Sequence, residues 1–197
     1  MRIGIDIDGV LTNIEHFRLN YFSKYCVEHN IDYKIGESSY ELHEIFNVDK
    51  KVTDEFWRDY LFYYAEKENP RPFAKEVIDK LKKNGNEIYI ITARWLSNRD
   101  DEEGARMRAT VKEWLNKHEI YYDKLIFSKA DAENKEEEIK EYEIDLMIED
   151  NPANIMELSK FTEIICFDTS YNKECKGEKI TRCYSWYDIL KVFDDMI

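Results

Sequence analysis

The 197-residue sequence has little glycine and less proline, six and three residues, which leaves scant material for long flexible linkers. It has no CxxC pair. Its four cysteines, Cys26, Cys166, Cys175 and Cys183, are scattered, and Cys166 lies in an apolar run; this pattern predicts reduced thiols in a cytosol rather than a disulfide framework. No apolar run approaches the length that spans a bilayer. Asp6 and Asp8 interrupt the stretch where a signal peptide needs continuous apolar residues, so the expectation is a cytoplasmic protein with no membrane partner. Positive charge is short as well. A net charge of -13 argues against a nucleic-acid strand as partner, because a phosphate backbone demands a surplus of cations. A small anion remains compatible, given a local positive site that a metal ion can supply. Internal repeats are absent, and the one biased stretch, Glu136 to Glu138, reads as a solvated helix face. His16, His29, His43 and His118 show no metal-ligand spacing.

Apolar residues, by contrast, make up 43% of the chain and include ten Phe, fourteen Tyr and four Trp, enough to core one domain with a modest insertion. Arg2 to Ile7 reads as a buried strand ended by Asp8-Gly9. Phe17, Tyr21, Phe22 and Tyr25, at helical spacing, predict a helix from Asn13 to about His29. Ser38 with Glu41 predicts a capping box for a second helix, and Thr53 an N-cap for a third carrying Phe56, Trp57, Tyr60 and Tyr64. Beyond Asn69-Pro70-Arg71-Pro72, helix and strand alternate. Helices are expected over Ala74 to Leu81 with Gly85 as its cap, around Val111 to Leu115, over Lys135 to Tyr142, from Pro152 and from Trp186. Strands are expected at Glu87 to Thr92, Leu125 to Phe127, Ile144 to Ile148 and Glu163 to Phe167. Such alternation implies a parallel sheet covered on both faces, a three-layer α/β core of Rossmann-like type. Residues 13–69 interrupt it as a small helical cap after the first strand, leaving 1–12 and 70–197 as the core.

In sheets of this kind ligands bind at the carboxyl ends of the strands. Three of the expected strand ends are polar: Asp6, Asp8, Gly9 and Thr12 after the first, Thr92-Ala93-Arg94 after the second, and Glu149-Asp150-Asn151 after a later one. An acid abutting an apolar strand is costly to bury unless it is paired or bound to metal. Packing alone does not explain several such positions at one end of the sheet.

Asp6-Ile7-Asp8-Gly9-Val10-Leu11-Thr12 matches the DxDGxxT first motif of the haloacid dehalogenase superfamily. Ile90-Ile91-Thr92 resembles its second motif, Lys135 stands where its third-motif lysine belongs, and Met147-Ile148-Glu149-Asp150 resembles its acidic fourth. The four occur in the family's order and span almost the whole chain. The resemblance implies a Mg2+-dependent phosphomonoester hydrolase. Asp6 is then the nucleophile that carries an aspartyl-phosphate, and Asp8 the acid and base that protonates the leaving oxygen and later activates water. Mg2+ is expected on Asp6, Asp150 and the backbone carbonyl of Asp8. Thr92, with the backbone of Ala93 and Arg94, is expected to hold phosphate oxygens, and Lys135 to neutralise charge between phosphate and Asp6. Lys129 competes with Lys135 for that role. Arg94 reads equally as a substrate contact or a surface ion pair.

The placement of the helical insertion resembles the 5'(3')-deoxyribonucleotidase-like branch, as does the run Cys166-Phe167-Asp168-Thr169-Ser170-Tyr171-Asn172 followed by Tyr184-Ser185-Trp186. That implies a nucleoside monophosphate as substrate, with aromatic residues of the insertion, among them Phe17 and Trp57, stacking on the base. Ile14 and Ala93-Arg94 depart from the branch's pattern. Two further readings stay open: a phosphatase for another small phosphomonoester such as a sugar phosphate, and a non-catalytic phosphoacceptor or Mg2+-binding domain. The second lacks any need for an acid such as Asp8 beside the nucleophile.

Overall fold

A computed structural model describes residues 1–128 and 135–195. Six strands form one parallel sheet: β1 (Arg2–Ile5), β2 (Glu87–Thr92), β3 (Lys124–Phe127), β4 (Leu146–Glu149), β5 (Glu163–Phe167) and β6 (Ile180–Cys183), in the order β3-β2-β1-β4-β5-β6. β1 is central, paired to β2 and β4, and its Ile3, Gly4 and Ile5 are wholly buried, as the apolar run requires. The strand ends at Ile5, two residues sooner than the sequence pattern predicts. Asp6 still donates its N–H to the Ile148 carbonyl at 3.1 Å, and beyond it Ile7–Leu11 winds into a wide turn. β6 escapes sequence reading because Ile-Thr-Arg-Cys at a sheet edge carries no apolar run.

In chain order the helices are α1 (Ile14–Phe17), α2 (Ser23–Glu28), α3 (Leu42–Phe46), α4 (Lys50–Lys67), α5 (Ala74–Lys83), α6 (Glu102–Lys117), α7 (Glu136–Glu141), α8 (Pro152–Leu158) and α9 (Trp186–Asp195). Val77 and Leu81 of α5, Met107 and Val111 of α6, and Trp186 and Ile189 of α9 pack with Ile3, Ile5 and Ile90 on one face of the sheet. Ile139 of α7 with Ile155 and Leu158 of α8 packs with Ile91, Met147 and Ile164 on the other. The result is the three-layer α/β core expected. Among the described residues no helix is long and apolar enough to cross a membrane.

α1 to α4 form a separate apolar cluster beside the sheet, built from Phe17, Phe22, Tyr25, Phe46, Phe56 and Tyr64 with neighbouring aliphatic residues. α1 and α2 are one helical run, joined by a π-turn at Arg18–Phe22. Two expected caps are different. α3 starts after Glu41 with no side-chain cap, and Ser38 instead donates its hydroxyl to Ser170 Oγ at 2.9 Å. Thr53 lies inside α4, where its hydroxyl donates to the Lys50 carbonyl at 2.8 Å, because Asp49, one turn earlier, takes the cap by accepting the Lys51 N–H. The two chain crossings into this helical segment lie side by side. Thr12 pairs antiparallel with Pro70, and Arg71 donates its backbone N–H to Leu11 O at 2.6 Å and its Nε–H to the carbonyls of Gly9 and Thr12, both at 3.1 Å.

Phe56 centres the helical cluster, with ring centroids 4.9 Å from Tyr60, 5.1 Å from Phe22 and 5.6 Å from Tyr25. Phe56→Ala is expected to destabilise the protein by about 3–5 kcal/mol, read as a lowered urea midpoint. Gly9 sits at φ +96°, and a Cβ there would lie 1.9 Å from Asp150 Oδ2. Gly9→Ala is therefore expected to lose at least about 1–2 kcal/mol from the left-handed backbone alone, plus the clash, measured the same way.

Candidate active site

β1 and β4 lie at the point where the strand order reverses, so their carboxyl ends open the crevice of the sheet. The local reason for the site's charge is simple: each of these apolar strands ends on acids. Asp6 follows β1, Glu149 closes β4 and Asp150 follows it, and all three are buried. Lys135, the residue before α7, reaches into this gap while only 1% exposed. Its Nζ donates to Asp6 Oδ1 at 2.5 Å and to Glu149 Oε2 at 2.7 Å. Glu149 is held further by the backbone N–H groups of Asp150 and Asn151, at 3.0 and 3.1 Å on Oε1, and by Asn154 Nδ2 at 3.3 Å on Oε2. Against burial, which disfavours the cation, Asp6 and Glu149 hold the Lys135 ammonium above its usual range. Burial pushes the Asp6 carboxyl up to about 7; Lys135 opposes the rise, and Glu149 and Asp8 add to it. Asp150 is pushed up by burial and by the adjoining carboxylates of Glu149 and Asp6.

Asp6, Glu149 and Asp150 each present an oxygen, all within 4.8 Å of one another. Asp150 Oδ2 accepts the Tyr171 hydroxyl, whereas Oδ1 is buried with no hydrogen-bond partner. Burial and mutual repulsion hold the Asp6 and Asp150 carboxyls toward their neutral forms, and Asp150 keeps one buried oxygen without a partner. A hard divalent cation with oxygen ligands fits this donor set.

Asp8 stands one turn further out. Its carboxylate is gripped in bidentate fashion by Arg94, Nε at 3.1 Å from Oδ2 and Nη2 on Oδ1. Arg94 overcomes the effect of burial and keeps Asp8 below the usual carboxylate range. The guanidinium also stacks 5.1 Å from the Tyr64 ring, and the Tyr64 hydroxyl shares a 2.6 Å hydrogen bond with Thr12 Oγ1. Arg94 is thus an ion pair within the site rather than on the surface. A small pocket of about 40 Å3 is bounded by Asp6, Asp8, Ala93, Lys135 and Asp150. Beside it lies a cavity of about 690 Å3 whose wall includes Ile14, Arg18, Tyr40 and Trp57 from the helical segment. Asp8, Tyr40 and Ala93 border both, so the two volumes adjoin at Asp8.

Of the residues singled out in the sequence, Asp6, Asp8, Ala93, Lys135 and Asp150 converge on the small pocket and Arg94 and Trp57 on the larger cavity. Thr92 is fully buried, accepts the Arg94 N–H on Oγ1 at 3.3 Å and lines neither. Phe17 is elsewhere too. It is 1% exposed inside the helical cluster, its ring 4.3 Å from Tyr21 and 4.7 Å from Tyr64. Lys129 lies outside the described residues. Sequence reasoning overlooked Arg18 and Tyr40, which carry no motif. It also assigned no contact to Tyr171, although that residue stands in the run quoted for the nucleotidase branch.

Comparison with known proteins adds a family to this geometry. The model of the family described as 5' nucleotidase, deoxy (Pyrimidine), cytosolic type C, matches residues 1–196. A nucleotidase of Clostridium acetobutylicum is 30% identical over 198 residues, covering 98% of this chain and 94% of its own. Among solved structures, a haloacid dehalogenase-superfamily hydrolase from Geobacter sulfurreducens superposes with a TM-score of 0.60 at 12% identity, over 97% of this chain and 95% of that one. The D,D-heptose 1,7-bisphosphate phosphatase of B. bronchiseptica, solved with magnesium and phosphate, gives 0.57 at 9% identity over the whole of both chains. At these identities the solved structures speak for the fold, while the family model and the clostridial relative speak for the lineage. The chain, whose core has the haloacid dehalogenase-like fold, belongs to the 5'-nucleotidase, deoxy (pyrimidine), cytosolic type C family of phosphomonoester hydrolases.

Proposed function

We propose that this protein hydrolyses nucleoside monophosphates with Mg2+, through an aspartyl-phosphate on Asp6. The observation that carries this reading is the buried Asp6–Lys135–Glu149 cluster with the orphaned Asp150 Oδ1, adjoining at Asp8 a cavity large enough for a nucleoside. Residues 13–69 act as a cap and 1–12 with 70–197 as the catalytic core. A cytosolic setting matches the family's printed description and the four free thiols.

Asp6 Oδ attacks phosphorus while the ester P–O bond breaks, and the leaving alkoxide takes a proton from Asp8. Asp8 then removes a proton from water as that water attacks the phosphoryl group, releasing inorganic phosphate and restoring the Asp6 carboxylate. Arg94 holds Asp8 ionised, as the second half requires; for the first half it must yield Asp8 to a proton and turn its donors toward the substrate. Lys135 offsets repulsion between the Asp6 carboxylate and the incoming phosphoryl oxygens. Thr92 shapes the turn that sets Ala93 at the phosphoryl pocket, and Trp57 presents an aromatic face to the base. Asp6 and Asp150, with the Asp8 carbonyl, would hold Mg2+, which supplies positive charge against the phosphoryl oxygens.

Asp6→Asn is expected to lower Mg2+-dependent phosphate release from deoxynucleoside monophosphates by more than about a thousandfold with the fold intact. Release by that variant at wild-type rates would sink the aspartyl intermediate. Release by the wild type from sugar phosphates alone would retain the chemistry and remove the nucleotide. Mg2+ at about a hundred times its dissociation constant should stabilise the protein by about 2.7 kcal/mol, a rise in Tm of roughly 5–10 °C for a domain of this size. Asp150→Asn should abolish that rise, and an unchanged Mg2+ response would remove Asp150 from the metal site.

A further inference from the structure

Arg18 enters the cap at the start of its π-turn, and its side chain is unusually placed. It is 8% exposed, and no carboxylate lies within 4 Å of it among the described residues. Its Nη1 donates to the Tyr40 carbonyl at 2.9 Å, while its Nε is buried without an acceptor. The rings of Tyr40 and Trp57 stand 4.9 and 5.8 Å from the guanidinium carbon. Stacking on two rings offsets part of the desolvation of a buried cation, but it leaves the remaining N–H donors unmatched. Arg18 is also part of the wall of the 690 Å3 cavity.

A second observation points the same way. Lys50, Asp54 and Arg58, at helical spacing on α4, stand on the cavity wall, and neither Lys50 nor Arg58 pairs with a carboxylate among the described residues. Arg94 is already committed to Asp8. In a chain of net charge -13, this wall therefore has three cations, Arg18, Lys50 and Arg58, against Asp54. A neutral leaving group makes no use of that surplus.

We propose that Arg18 holds a second anionic group of the substrate, so that the preferred phosphomonoesters carry a further phosphate or carboxylate on the alcohol that is released. The inference rests on the phosphatase reading above and moves its preferred substrate from a simple nucleoside monophosphate to a phosphomonoester with a second anion. A guanidinium binds either oxyanion in the same forked geometry, so the chemistry is shared and the source is a matter for measurement. A purely structural Arg18, tying down the loop at Tyr40, needs Nη1 alone and predicts no discrimination between substrates.

The test compares kcat/KM within matched pairs at fixed ionic strength and saturating Mg2+: a deoxynucleoside 5'-monophosphate against the corresponding 3',5'-bisphosphate, and glycerol 3-phosphate against 3-phosphoglycerate. The wild type is expected to favour the second-anion member of at least one pair by about tenfold or more. Arg18→Met should compress that ratio toward one, and Arg18→Lys should keep part of it. Preference in the nucleotide pair alone identifies a second phosphate; preference in the glycerol pair alone identifies a carboxylate. Equal values within both wild-type pairs, or an undiminished ratio in a folded Arg18→Met, overturn the proposal and leave the nucleotidase reading standing. Hydrolysis of 3-phosphoglycerate over glycerol 3-phosphate, with no nucleotide turned over, does the reverse. Should Arg18→Met fail to fold, the wild-type ratios still decide. Should turnover be too slow, the rise in Tm that each pair member produces in Asp6→Asn replaces kcat/KM.

Discussion

One buried ammonium organises the carboxyl end of this sheet. Pairing β1 with β4 brings Asp6 and Glu149 to the same gap, and two carboxylates so placed would repel one another in a medium that screens poorly. Lys135 lies between them and turns the repulsion into two short charged hydrogen bonds. With Glu149 thus satisfied, its other oxygen is available to the backbone amides of Asp150 and Asn151, which fixes the turn into α8 and aims Asp150 across the gap toward Asp6. The acid that the catalytic scheme leaves aside is therefore the one that sets the geometry of the rest.

Around that centre the chain spends its polar residues on closure. Tyr171, from the loop after β5, covers Asp150 with its hydroxyl, and its ring meets that of Tyr40 from the helical segment at 5.3 Å. Ser38 bonds Ser170 beside them, and Ser170 in turn donates its N–H to Glu15. The helical segment thus touches the sheet's loops at Ser170 and Tyr171 as well as at its own attachment at Thr12 and Pro70. Asp8 and Arg94 stand paired at the seam between gap and cavity, Asp8 bordering both volumes and Arg94 the larger.

Much of this could be read from the chain because burying an acid is expensive. Asp6, Asp8 and Asp150 stand at the ends of apolar strands, where only a function makes them tolerable, and Lys135 follows as the cation those acids need. The alternation of strands and helices was legible for the same reason that β6 was not: periodicity needs an apolar run, and Ile180 to Cys183 has none. Phe17 and Trp57 show why the cavity wall was harder. Both lie on apolar helix faces, and spacing tells that a face is buried without telling whether against a core or around a void; Phe17 went to the core. Arg18 and Tyr40 meet across an irregular stretch of chain, a relation no local pattern encodes. Thr53 failed as a cap since Asp49 offered a stronger acceptor one turn before it.

The closed neck of the helical segment has a consequence for how such a protein diversifies. Thr12, Pro70 and Arg71 are joined through main-chain groups and a single side chain reaching back to Gly9, and none of those bonds involves a residue between them. The turn from Asp6 to Thr12 is met from within the threaded segment by Tyr64, whose hydroxyl bonds Thr12 and whose ring stacks on the Arg94 that grips Asp8. Helices can be lengthened or re-lined around a retained Tyr64, so selection can redraw the cavity wall while leaving the ion pair beneath it in place.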